Sequence, residues 1–201
     1  MRSILVLLED LVQAEFGARD LAEVRAAAAL RQQDAGRVPG PGGRVMAFVE
    51  AIAQVRRRPL CEAYQFVGLK LVPVVLREYP GLVRGHDGLT AILMQVSRVV
   101  PSALSVLLPG VDAPHFDLEL VDAGTQRVSF DGFTEAACLV EGVLLGLGLH
   151  FGDRVTVQRA TPPAFAPDRR LIDVKVQEGD RRTGAAQGSP DGKERRRFFG
   201  L

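Results

Sequence analysis

The stretch VSRVVPSALSVLLPGVDAPHFD, Val96 to Asp117, marks a change of structural type along this chain. Its first half places apolar residues at helical spacing, whereas Phe116 opens an alternation of apolar and charged residues that continues to Leu120. The first pattern predicts a helix that is ended or bent by Pro101, and the second predicts a half-buried strand. We therefore expect helices before this stretch and a sheet after it.

The residues before this stretch carry the periodicity of several helices. Gly17 separates two of them, and the loops DAGRVPGPGG and YPGLVRGHDG separate others, because glycine and proline interrupt regular structure. The predicted helices cover residues 4–16, 20–33, 44–57, 59–78 and 89–100.

The residues after it predict a small sheet that carries one helix. The turn DAGT joins the first strand to QRVSF, and Phe133 to Phe151 is apolar on nearly every side, as in a helix enclosed by other elements. Alternating residues around Val157 and Val174 predict two further strands. The order strand–strand–helix–strand–strand indicates an α+β fold, with an N-terminal helical subdomain followed by a four-stranded antiparallel sheet.

Residues 1–177 are expected to form one domain, and residues 178–201 a disordered tail, because EGDRRTGAAQGSPDGKERRRFFGL is polar, rich in glycine and without period. Phe198 and Phe199 could anchor a peptide contact with a partner, although a solvated tail explains the same composition.

Composition excludes several classes of function. A net charge of +1 gives no field that would steer the chain to nucleic acid or to an anionic membrane. The longest apolar run is interrupted by Glu141, which argues against a membrane span, and a cytoplasmic protein is expected. Cys61 and Cys138 lie among apolar neighbours, so they are expected to be buried thiols in a reducing compartment rather than a disulfide.

No catalytic or metal-binding pattern emerges from the residues. His86, His115 and His150 are far apart in sequence, and neither cysteine has the neighbours that zinc requires. The chain lacks a phosphate-binding loop after a strand, a nucleophile elbow and paired carboxylates. We therefore expect a protein that is not an enzyme.

Four strings in the right order resemble the heme nitric-oxide/oxygen binding (H-NOX) family of sensor domains. The resemblance covers about residues 1–176, and each string is weak alone. They are ILVLLEDLVQAEFG from Ile4, FVGLKLVPVVLREYPGLV from Phe66, LLPGVDAPHFD from Leu107 and LVEGVLLGLGLHFGDRVTVQ from Leu139.

The resemblance implies a heme, but the residues that would hold it differ from the family pattern. The family's proximal histidine matches Pro101, or Val100 if one residue is inserted, and neither side chain can coordinate iron. The family's Tyr-x-Ser-x-Arg clamp on the heme propionates matches Phe130, Gly132 and Thr134. We therefore expect no heme. By resemblance alone the pocket would be lined by Leu5, Leu71, Leu93, Val100, Pro101, Pro114, Phe130 and Leu144.

Other residues could replace the missing ligand or fill the space. His115 and His86 are weak candidates for iron ligation, and Tyr79, Met94 and Cys138 are chemically able to ligate. Phe130 and Phe133 suit a filled pocket. Small residues of the last helix would instead leave room for an apolar guest: Ala136, Ala137, Gly142, Gly146 and Gly148.

Three functions remain open at this point. The first is a heme-free H-NOX-like module that binds an apolar small molecule or nothing, and signals by protein contacts to a histidine kinase or diguanylate cyclase, as the resemblance implies. The second is a heme sensor of nitric oxide or another diatomic gas with an unconventional axial ligand. The third is a structural adaptor of related fold.

Overall fold

The computed structural model describes residues 2–34, 40–107, 114–122 and 124–179. Its helices are α1 (Ile4–Asp34), α2 (Pro41–Val55), α3 (Leu60–Glu78), a 3-10 turn (Pro80–Val83), α4 (Leu89–Leu93), α5 (Val96–Leu107) and α6 (Thr134–Phe151). Its strands are β1 (Phe116–Asp122), β2 (Thr125–Asp131), β3 (Arg154–Ala160) and β4 (Arg169–Gln177). The predicted tail from residue 180 onward, including Phe198 and Phe199, lies outside the described residues.

The four strands form one antiparallel sheet in the order β1-β2-β4-β3. Alternate residues of each strand face α6 and α5, which lie on the same side of the sheet and bury Val128, Phe130, Ile172 and Val174. The predicted α+β architecture is therefore confirmed.

The helix boundaries agree with the prediction at Gly17 and differ from it at Pro101. Gly17, with a φ of 88° and a ψ of 174°, separates α1 into two helical parts at a kink, as expected. Pro101 lies inside α5, which continues to Leu107, and the predicted helix 89–100 is instead divided between Leu93 and Val96. Pro73 lies inside α3, within the helix predicted for residues 59–78. These prolines are tolerated because tertiary packing outweighs one missing backbone hydrogen bond.

The buried residues separate into two main clusters. The helical cluster joins α1, α2 and α3 around Leu8, Val12, Ile52 and Val67. The sheet cluster joins α4, α5, α6 and the sheet; it contains Leu89, Leu93, Val96, Phe116, Val128, Phe130, Ala137, Leu144, Ile172 and Val174. Helices α3 and α6 run side by side and connect the two clusters.

Helix α6 is long and apolar enough to cross a membrane by length and composition alone. It instead packs between α3 and the sheet, and its charged residue Glu141 is only 6% exposed. Its composition is thus that of a core helix.

Candidate functional site

Four of the expected pocket residues lie together in the sheet cluster. Leu93, Phe130 and Leu144 are buried there, and the half-buried Val100 packs against them. Leu5 packs instead against the helical cluster, as does Leu71, which also contacts a small third cluster around Ile4 and Leu7. Pro101 is exposed and Pro114 is half-buried.

The phase of α5 distinguishes the two positions that match the family's iron ligand. Val96 and Val100 face the sheet cluster, whereas Pro101 and Ser102 face solvent. The Ser102 hydroxyl donates a hydrogen bond of 2.9 Å to the carbonyl of Arg98, one turn earlier. An inward-facing ligand at this point of the helix would therefore have to occupy position 100 rather than position 101.

The clamp positions lie at the end of β2 and the start of α6. The ring of Phe130 stacks on Phe116 with 4.9 Å between centroids, and Phe130 is 1% exposed. Gly132 lies beside the same ring, since an added Cβ would be 3.6 Å from it. Thr134 is the exposed first residue of α6. A phenyl ring thus occupies the first clamp position as part of the core.

None of the three histidines is among the described residues of the sheet cluster. His115 is 72% exposed, and its Nε2 atom lies 2.9 Å from Asp117. His150 is exposed at the end of α6, beside the ring of Phe151. His86 is half-buried in the turn before α4, and its buried Nδ1 atom has no hydrogen-bond partner among the described residues.

The remaining side chains that could ligate iron have other places in the fold. The Tyr79 hydroxyl donates to the carbonyl of Arg2 at 2.6 Å, and Met94 is 70% exposed. Cys138 is joined to Cys61. Within the described ranges, no group of three or more histidine, cysteine or acidic side chains could hold a metal ion.

At the three glycines of the last helix the expected room is absent, so that part of the prediction is wrong. An added Cβ on Gly142 would lie 2.9 Å from the backbone nitrogen of Leu69, and one on Gly146 would lie 2.8 Å from the carbonyl oxygen of Leu69. The side chain of Val155 occupies the space beside Gly148 in the same way. These glycines allow α3 to approach the backbone of α6, and the approach consumes the space that they free.

The expectation of two separate thiols is also wrong. A disulfide joins Cys61 of α3 to Cys138 of α6, with 5.3 Å between their Cα atoms. Sequence spacing gave no sign of it, because the two residues are 77 positions apart. They meet because α3 and α6 run parallel.

A charged pair adjoins this disulfide. Glu141, one turn after Cys138, accepts hydrogen bonds of 2.5 and 2.8 Å from the guanidinium of Arg159 in β3. Because the carboxylate favours the charged guanidinium, it raises the pKa of Arg159. The interruption of an apolar run by Glu141 was the one sequence signal that a basic partner was needed.

The outer face of the sheet carries a second set of ion pairs. Arg127 forms a two-point contact with Asp173, and Arg169 contacts Asp117 and the Ser129 hydroxyl. The hydrogen bond from Arg169 lowers the pKa of Asp117, with a smaller effect from His115. These half-buried pairs connect neighbouring strands.

One surface hollow, of about 140 Å³, lies between the start of α6 and the ends of β3 and β4, near Arg159 and Arg170. Another is wide and open, between α1 and the α2–α3 turn. Neither is lined by any of the expected pocket residues.

The family model for Haem-NO-binding domains matches residues 3–159. The chain belongs to this family. H-NOX domains are generally sensors rather than enzymes, they normally bind heme, and bacterial members generally signal to kinases or cyclases. No curated protein matches the sequence.

Solved H-NOX structures share the fold at low sequence identity. A crystal structure of an H-NOX protein from S. oneidensis in the Fe(II)NO ligation state is 18% identical and has a TM-score of 0.69, covering 87% of this chain and 98% of that one. An NMR structure of an H-NOX domain from Shewanella oneidensis in the Fe(II)CO state is 19% identical, with a TM-score of 0.71 and coverage of 88% and 99%. An unliganded Fe(II) H-NOX mutant from K. algicida is 13% identical, with a TM-score of 0.65 and coverage of 87% and 95%.

Proposed function

We propose that this chain is a heme-free H-NOX module that transmits signals through protein contacts. The observation that carries the proposal is the packing of Val100 in one cluster with Phe116, Phe130 and Leu144. By resemblance, these positions adjoin the iron and the propionates in heme-binding members. Here they belong to one apolar cluster, in which the rings of Phe116 and Phe130 stack on each other.

The residues present do not fit a heme iron. Val100 faces the core but has no lone pair to donate, and Pro101 faces solvent. The exposed His115 is held at Asp117 on the outer edge of the sheet. Heme proteins use histidine, cysteine, methionine or tyrosine as the axial ligand. Of the candidates for this role, Tyr79 and Cys138 are engaged elsewhere, and Met94 is exposed.

The residues also do not fit the heme carboxylates. Propionates are stabilised by charged and hydroxyl donors, because a buried carboxylate without partners is costly. Phe130 offers a hydrocarbon ring in the core, and Gly132 offers no side chain. The same positions therefore favour an apolar interior.

Filling by side chains explains the domain better than an apolar guest. A cavity large enough for a ligand lowers stability unless the ligand is present. The stacked rings of Phe116 and Phe130 and the closed α3–α6 contact leave the described core packed. Signalling would then depend on surfaces read by a separate protein, for which the family suggests a kinase or cyclase in the cytoplasm.

Absorbance of the purified protein tests the proposal. The chain would be expressed with ample heme precursor in parallel with an H-NOX protein from S. oneidensis, and both apoproteins would then be titrated with hemin. We expect a Soret band at one heme per chain only in the control. A stoichiometric Soret band in this chain would overturn the proposal and favour a sensor with an unconventional ligand. Native mass spectrometry would reveal a retained apolar guest.

A further inference from the structure

The disulfide lies at one end of a regular contact between two parallel helices. Cys61 meets Cys138, Gln65 meets Gly142 and Leu69 meets Gly146, so each partner in α6 is 77 residues after its partner in α3. The bond therefore joins a helix of the helical cluster to the central helix of the sheet cluster.

Arg159 contacts both sulfur atoms. Its Nη2 atom lies 2.9 Å from the sulfur of Cys61 and 3.1 Å from the sulfur of Cys138, while Glu141 fixes the guanidinium from the other side. A cation adds little to a neutral disulfide, but it stabilises a thiolate strongly. This contact therefore favours the reduced state and makes the bond easier to reduce.

We propose that Cys61 and Cys138 form a reversible thiol–disulfide site, in which Cys61 reacts with hydroperoxides and Cys138 closes the bond. None of its residues is among the eight expected to line the heme pocket, and Cys138, one of the side chains chemically able to ligate iron, is bonded to Cys61 instead.

Cys61 has the features of the reacting thiol. It is half-buried, whereas Cys138 is fully buried. It also lies in the first turn of α3, a helix of 19 residues, where the helix dipole favours a negative charge. Together with the Arg159 guanidinium, this position favours the negatively charged thiolate of Cys61.

The reaction balances without any further protein group. The Cys61 thiolate attacks one oxygen of a hydroperoxide, the O–O bond breaks, and the protonated leaving group departs as water or an alcohol. Cys61 is then a sulfenic acid, and the sulfur of Cys138 attacks it, forming the S–S bond and releasing water. Two thiols are oxidised and one peroxide is reduced. A dithiol reductant returns the site to the reduced state by exchange.

The test begins with the reduced full-length chain. After addition of hydrogen peroxide, intact mass and peptide mapping should show loss of two hydrogens and a Cys61–Cys138 peptide. Cys138→Ser should instead accumulate a sulfenic acid on Cys61 that dimedone captures, and Cys61→Ser should capture none.

A second comparison isolates Arg159. The double variant Arg159→Gln with Glu141→Gln removes both charges together, so it leaves no buried carboxylate unpaired. We expect its Cys61 to react with iodoacetamide about tenfold more slowly at neutral pH, because loss of the guanidinium beside the sulfur lowers the thiolate fraction. Arg127→Gln, on the outer face of the sheet, should keep the original rate.

Three results would overturn the proposal. They are a sulfenic acid that forms first on Cys138, thiols that stay reduced under peroxide, and a disulfide that a dithiol reductant leaves intact in the folded chain. Circular dichroism of each variant checks that loss of reactivity does not arise from unfolding.

Discussion

Gly142 of α6 and Gln65 of α3 meet backbone against backbone. A methyl group on Gly142 would lie 2.9 Å from the carbonyl carbon of Gln65, closer than side-chain carbons normally approach. Neither helix can accept the extra atom without moving the other, so this contact fixes the distance between the two clusters.

Gly142→Ala should therefore destabilise the domain by at least about 2 kcal/mol, because overpacking against backbone cannot be relieved by a change of rotamer. Urea unfolding measures the loss. Gly81→Ala is the matched control: no atom lies within 4 Å of its added Cβ, and its stability should change by less than about 0.5 kcal/mol. Equal effects in the two variants would contradict the close approach.

Reduction of the disulfide should lower the free energy of unfolding by about 4 kcal/mol, because a bond between residues 77 positions apart restricts the unfolded chain. For a domain of this size the melting temperature should fall by about 10 °C. Calorimetry with and without reductant measures the change. The Cys61→Ser variant should melt at the temperature of the reduced chain, and adding reductant should not change its melting temperature.

The raised pKa of the buried Tyr64 hydroxyl predicts that the folded domain loses stability at high pH. It is 2% exposed, and burial, followed by the charges of Glu50 and Glu135, raises the pKa of its hydroxyl from 10.0 to about 12. Because the folded pKa exceeds the unfolded one, the stabilisation is complete below pH 10 and is lost as the pH rises from 10 to about 12. The loss should approach about 3 kcal/mol.

Tyr64→Phe should remove the loss of folding stability that Tyr64 causes between pH 10 and about 12. Its hydroxyl is buried with no hydrogen-bond partner among the described residues, so the substitution should also stabilise the domain by about 1 kcal/mol at neutral pH. Urea unfolding at several pH values measures both effects. Parallel curves for the two proteins between pH 10 and 12 would contradict the shift.

Val100→His and Pro101→His separate the two positions that match the family's iron ligand. An imidazole at position 100 enters the sheet cluster without a partner and should cost about 2 kcal/mol, whereas one at exposed position 101 should leave stability unchanged or higher. Neither variant should take up hemin, because Phe116 and Phe130 occupy the core beside α5. Heme uptake by Val100→His alone would show that a pocket persists.

The order of helices and strands could be predicted because it depends on local periodicity. The alternation that starts at Phe116 and the all-round apolar surface of α6 each specify one kind of element. The residue that matches the iron ligand could be narrowed to two positions but not to one. Only the orientation of α5 about its own axis in the structure shows that Val100 faces inward while Pro101 faces outward.

The contacts between α3 and α6 could not be predicted, because they depend on how two distant helices are aligned. Glycines at helical spacing are compatible with an empty groove or with a neighbouring backbone. In this fold the backbone of Leu69 lies against Gly142 and Gly146. The disulfide follows from the same alignment. Glu141 signalled a buried partner, but its identity as Arg159 depends on the position of β3.

The contact between α3 and α6, in which each residue of α6 lies 77 positions after its partner in α3, restricts how the domain can deform. Sliding one helix along the other by a single position would press a side chain into backbone at Gly142 and again at Gly146. Rotation about the line of contact keeps Gly142 and Gly146 opposite the same residues of α3. Any rearrangement that carries a signal across this domain should therefore open or close it like a hinge whose axis is the α3–α6 contact.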